Sequence, residues 1–184
     1  MERRDLLRAL GAAAAFTLMP RTAHAAWETV AAAPGAPPRV LTDERSALVA
    51  ALADAIIPRT DTPGATDVGV TAFIDVIVSE YYSDEERAVF LSGLDSIGAR
   101  VKLGGAATFA EMTPDARRTL LDSLDQPLDQ QAPEARTWSR LKGLVIHGYF
   151  TSERVQQEVL KTVIMPGRFD GNAPMKAATG GSHG

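Results

Sequence analysis

From Leu41 to Leu160 the apolar residues recur three and four positions apart, and no segment shows a clean two-residue alternation. That spacing builds one-sided helices and excludes half-buried strands, so the chain is expected to be all-α. Local start and stop signals divide the pattern. Thr42, followed by Asp43 and Glu44, is placed to cap a helix carrying Leu48, Leu52, Ala55 and Ile56, which Pro58 stops. A turn-rich stretch, Pro58 to Gly64, leads to a second stripe of Val70, Phe73, Ile74, Ile77 and Tyr81. Ser83-Asp84-Glu85-Glu86 has the S-x-x-E spacing of a capping box, opening a helix that buries Val89 or Phe90, Leu94 and Ile97 and weakens near Gly98. After the Gly104-Gly105 break come Phe109 and Met112. Thr113 then caps a helix with Pro114 at its first position and Leu120, Leu121 and Leu124 on its apolar side. Beyond a polar linker, 126–133, Trp138, Leu141, Val145 and Tyr149 form a fifth stripe, and Thr151 or Ser152 starts a shorter helix with Val155, Val159 and Leu160. One domain of about six helices is expected over 41–175, with irregular connections at 58–66, 101–108 and 126–133.

The two ends are different in kind. Arg3-Arg4 precedes a mild apolar run, Ala9 to Leu18, of ten residues. That is far short of the ~20 needed to span a bilayer. Ala23-His24-Ala25 then supplies an A-x-A cleavage pattern, with the cut expected before Ala26. The paired arginines and the basic Arg21 after the apolar core point to the twin-arginine export route, which carries proteins already folded. Residues 1–25 are therefore expected to be a leader, 26–40 a mobile Ala/Pro-rich lead-in, and 176–184 a Gly-rich flexible tail. The expected location is periplasmic, peripheral to the inner membrane at most through partners.

Composition narrows the chemistry. The leader holds four of nineteen basic and two of twenty-three acidic side chains, so the remaining 159 residues carry a net charge of −6. Nucleic acid and anionic lipid are poor partners for such a surface. The chain has no cysteine, which removes disulfides, iron–sulfur ligation and C-x-x-C-H haem attachment. His147 is the only histidine of the folded region, too few for a nitrogen or sulfur metal site, and it is expected to be structural rather than a general base. There is no G-x-S-x-G elbow and no phosphate-cradling loop between strand and helix. Asp75, Glu80 and Asp95 fall on helices that need solvated faces, and pairing them as acid and base has no support. No catalytic, cofactor-binding or metal residue is therefore assigned. A folded-export leader on a chain without a visible cofactor site suggests that the cargo is something bound to it.

Specific motifs carry a resemblance. The run 52–65, LADAIIPRTDTPGA, with Gly69-Val70 and Phe73-Ile74-Asp75, resembles the gluconate 2-dehydrogenase subunit 3 family. So do 142–153, KGLVIHGYFTSE, and the turn MPGRFDG at 165–171, with Thr108-Phe109 and the helix after Thr113 in matching order between them. One departure stands at Asn172, where many members carry cysteine, so no thiol role exists there.

The resemblance implies a small non-catalytic subunit of a heteromeric sugar or polyol dehydrogenase. Its partner would be a flavoprotein of the glucose-methanol-choline type, holding FAD and borrowing this chain's export signal, with a c-type cytochrome subunit as a further partner in some complexes. Carried over residue by residue, Arg3 and Arg4 match the export motif. Pro58, Thr60, Asp61, Thr62, Pro63 and Gly64 match the family's loop, and Tyr149, Phe150, Thr151, Ser152 and Glu153 its aromatic helix end; both segments are candidate partner-docking sites. Two alternatives remain open. A stand-alone periplasmic enzyme would need acids converging in a pocket, and a small-sugar-binding module would need a cleft with stacking from Trp138 or Tyr81.

Overall fold

The computed structural model describes residues 20–126 and 132–161. Six α-helices stand among the described residues: α1 Pro20–Ala32, α2 Asp43–Ile56, α3 Val70–Glu80, α4 Asp84–Leu103, α5 Pro114–Asp125 and α6 Pro133–Thr151. Short 3₁₀ turns, Thr66–Val68 and Phe109–Glu111, join them, and a wide π-type turn, Val155–Val159, follows α6. The all-α expectation holds. Arg3, Arg4, the apolar leader run, the turn at 165–171, Asn172 and the tail lie outside the described residues.

The local start signals act as their chemistry predicts. Thr42 accepts the Arg45 amide, Ser83 and Glu86 make a reciprocal capping box, and Thr113 accepts the Ala116 amide with Pro114 in the first turn. Each satisfies an amide that has no partner inside its helix. Ser152, rather than Thr151, opens the last turn: its hydroxyl accepts the Val155 amide at 3.4 Å, while Thr151 still belongs to α6.

Packing centres on α6, which lies against α4 along most of its length and also touches α1, α2, α3 and α5. Phe73, Ile74, Phe90, Leu94, Ile97, Leu141 and Val145 are fully enclosed there. Each contributes about 2 kcal/mol of apolar transfer free energy. Two glycines let the helices approach. A Cβ on Gly93 would stand 2.0 Å from Thr137 Oγ1 and 2.6 Å from the Pro133 carbonyl oxygen, and one on Gly148 would stand 2.7 Å from the Phe73 ring. These positions set how closely α4 and α3 meet α6.

Several expectations require correction. The lead-in from residue 26 is not loose throughout, because α1 runs to Ala32 and seats Ala23, Ala26, Trp27 and Val30 on the core. Those four positions follow helical spacing, which an Ala-rich stretch disguises. The buried face of α2 centres on Val49, Leu52 and Ala53, and Ala55 faces solvent. Helix α4 continues through Gly98 to Leu103, since its packing outweighs the roughly 1 kcal/mol cost of a mid-helix glycine. Tyr81 ends α3 exposed, and Leu160 is exposed beside buried Val155.

Candidate functional site

The two segments that carry the family-like motifs meet in space. The Tyr149 hydroxyl, at the C-terminal end of α6, donates to the Pro63 carbonyl at 2.8 Å across 86 residues of sequence. Tyr149 is thereby a strut between helix and loop. The loop closes on itself as well: the Ala65 amide reaches the Ile57 carbonyl at 3.0 Å, and the Thr60 amide reaches the Thr62 carbonyl at 3.0 Å. Asp67 finishes the clasp, accepting the Gly64 amide at 2.8 Å and the Arg59 guanidinium. The Arg59 side chain, then that amide, hold the Asp67 carboxyl below the usual carboxylate range.

The candidate docking residues separate into two groups on this frame. Pro58, Thr60, Asp61, Phe150 and Glu153 are exposed. Thr62 and Pro63 are half-buried, while Gly64, Tyr149 and Ser152 are buried supports. Ser152 ties α6 to the π turn, donating to the Tyr149 carbonyl at 2.8 Å. Phe150 is 45% exposed, edge-on to Tyr149 with ring centroids 5.3 Å apart. One turn earlier on the same face Ile146 is also exposed, and Gly143 before it has open space where a side chain would stand. The sequence pattern named Phe150 but missed Ile146, whose place outside the Leu141–Val145–Tyr149 stripe was the available signal.

Thr151 serves α1. Its hydroxyl donates to the His147 carbonyl at 2.7 Å and accepts the Trp27 indole N–H at 3.1 Å. Trp27 stacks on Phe73 with centroids 5.0 Å apart and lies over Gly69, which holds a left-handed φ of 80° at the start of α3. Trp27 therefore belongs to the folded unit, contrary to its expected place in a mobile lead-in. His147 packs nearby, its ring 6.4 Å from that of Phe73.

The carboxylates singled out by sequence take structural posts. Asp75 is not on a solvated face: it is 5% exposed and accepts the amides of Arg39, Val40 and Leu41 at 2.6, 3.1 and 2.9 Å. It fastens the chain between α1 and α2 to α3. Glu80 pairs with Arg39, and Asp95 takes a two-pronged bond from Arg45 at 2.8 and 2.7 Å. The Arg45 guanidinium accordingly holds the Asp95 carboxyl low. Trp138, the stacking residue of the sugar-binding alternative, is buried with its indole N–H on Asp125 at 2.7 Å. Its ring is not available to a sugar. Among the described residues no group of three or more His, Asp or Glu side chains is arranged to hold a metal ion. Hollows among the described residues include one of about 430 Å³ between α2 and α4, where the Arg45–Asp95 pair stands, one of about 270 Å³ beneath the end of α1, and one of about 250 Å³ of mainly apolar space between α2, α4 and the turn at Phe109.

Within the described residues no helix is long and apolar enough to cross a membrane. No curated protein and no solved structure matches the chain. The family described as gluconate 2-dehydrogenase subunit 3 does, over residues 43–167, which takes in the loop, the aromatic helix end and every helix after α1. The chain belongs to the gluconate 2-dehydrogenase subunit 3 family and is thereby an accessory subunit of a dehydrogenase complex.

Proposed function

We propose that this subunit binds an FAD-containing flavoprotein of the glucose-methanol-choline type and carries it, folded, through the twin-arginine route to the periplasm. Catalysis then belongs to the partner, and this chain supplies the export signal at Arg3-Arg4 and a docking face. The observation that carries the reading is the meeting of the two family-like segments at Tyr149 and Pro63, which ties the helix end bearing exposed Phe150 to the loop. Exposed aromatic and aliphatic side chains on a rigid support are the usual anchors of protein interfaces. Ile146 and Phe150, spaced one turn apart with Gly143 leaving room beside them, would seat apolar side chains of the partner. Pro58, Thr60, Asp61 and Glu153 would form the polar rim. In complexes with a cytochrome subunit, electrons would leave the flavoprotein without passing through this chain.

Co-expression with the cognate flavoprotein tests the docking face. The wild-type subunit is expected to co-purify with it in a complex that reduces dye in a flavin-dependent way. Phe150→Asp is expected to lower its affinity for the flavoprotein at least tenfold while leaving its helical content unchanged. Equal capture by wild type and Phe150→Asp would remove this face from the interface. No capture by either would remove the subunit role with this partner.

A further inference from the structure

The expected cleavage bond lies inside α1. Ala23-His24-Ala25 is helical, Ala23 is 1% exposed and Ala26 0% exposed. The next residue, Trp27, is clamped by the Phe73 ring and the Thr151 hydroxyl. A peptidase that reads small residues on either side of a bond needs that stretch extended and accessible, and neither condition holds while α1 is docked. For a protein exported unfolded this would not matter. A chain carried folded meets the peptidase with its core already formed.

Resting on the twin-arginine reading above, we propose that docking of α1 shields the bond between Ala25 and Ala26, so that the leader is removed only from molecules in which α1 has lifted off the core. Such opening is a local event, and cleavage then follows the population of the open form rather than global unfolding. Breaking the bond also makes the change one-way. The remainder of α1, residues 26–32, is too short to hold a helix by itself. Its new ammonium would stand at Ala26, at the N-terminal end of that stub, where the helix dipole disfavours a positive charge. Trp27 then leaves Phe73 and Gly69, and the groove between α3 and α6 is uncovered.

The test uses the full chain, purified with its leader from export-deficient cells, and a synthetic peptide of residues 15–32. Both are incubated with purified signal peptidase in detergent micelles, and intact mass records the loss of residues 1–25. The folded wild type is expected to be cut at least tenfold more slowly than the peptide. Thr151→Val, remote in sequence from the bond, and Trp27→Ala, checked against a peptide with the same change, are expected to raise the folded chain's rate severalfold. Cleavage of the wild type should also shift Trp27 fluorescence to the red, with Trp138 as the constant component. Equal rates for peptide, wild type and Thr151→Val would overturn the shielding while leaving the leader reading intact. A peptide that is never cut at Ala25 would overturn the leader site, and the proposal with it.

Discussion

Helix α4 packs along α6, and α1 packs mainly on α3 with a lesser contact to α6, and the two are held by different means. Helix α4 is locked by shape: Gly93 leaves no space for a methyl group against Thr137 and Pro133, and Phe90, Leu94 and Ile97 fill the seam. Helix α1 is held by one large side chain, Trp27, with two alanines and a half-buried valine around it. The contrast teaches that one contact is part of the domain's irreducible core and the other is a latch. A seam of interlocked backbone cannot open without unfolding, whereas a segment fixed by one aromatic anchor can lift away at modest cost.

Substitutions at the two contacts should show this difference. The largest effect is expected at the seam: Gly93→Ala should cost about 3 kcal/mol and lower Tm by roughly 6–12 °C in a single transition, and Gly148→Ala, where α3 meets α6, about 2 kcal/mol. A Tm unchanged by Gly93→Ala would break the comparison outright. At the latch, Trp27→Ala should remove about 2 kcal/mol of local protection. In the leader-bearing chain hydrogen exchange should quicken across 20–32 while the amides of α4 and α6 keep their rates. Uniform quickening would make α1 part of the core. Tyr149→Phe should cost about 1 kcal/mol, by leaving the Pro63 carbonyl without its donor, and should loosen the loop at 58–64 before anything else.

The smallest effect concerns pH. The Lys142 ammonium, then the Trp138 indole N–H, hold the Asp125 carboxyl below the usual carboxylate range. Its folded pKa therefore lies below its unfolded one. The stability it contributes is present above about pH 4 and is lost as the pH falls through the folded value. Asp125 is partly solvated, so after screening the contribution is about 0.5 kcal/mol. Asp125→Asn should flatten that part of the acid denaturation profile, and an unchanged profile would show the pair to be inert.

What the sequence disclosed follows the range of the interactions involved. Thr42, the Ser83–Glu86 box and Thr113-Pro114 act within one turn, so their residues announce helix starts without reference to the rest of the molecule. Helix α1 was hidden because its evidence is remote: Trp27 is meaningful only beside Phe73 and Thr151, and alanines at 23 and 26 resemble any leader or linker. Asp75 reads as a surface acid until the amides of 39–41 fold over it. The candidate site was legible as two motifs, because prolines, glycines and paired aromatics mark them, but not as one place. Their junction is marked by the hydrogen bond between Tyr149 and Pro63. The sorting of exposed Phe150 from buried Tyr149 and Ser152 likewise required the packing.

The most direct test of the account follows the partner rather than this chain. The cognate flavoprotein is co-expressed with the wild-type subunit or with Arg3→Lys and Arg4→Lys together, and flavin-dependent dye reduction is measured in the periplasmic and cytoplasmic fractions. The account predicts activity in the periplasm with wild type and activity stranded in the cytoplasm with the double variant, with the complex intact in both. Periplasmic flavoprotein activity that is equal with either subunit would contradict it.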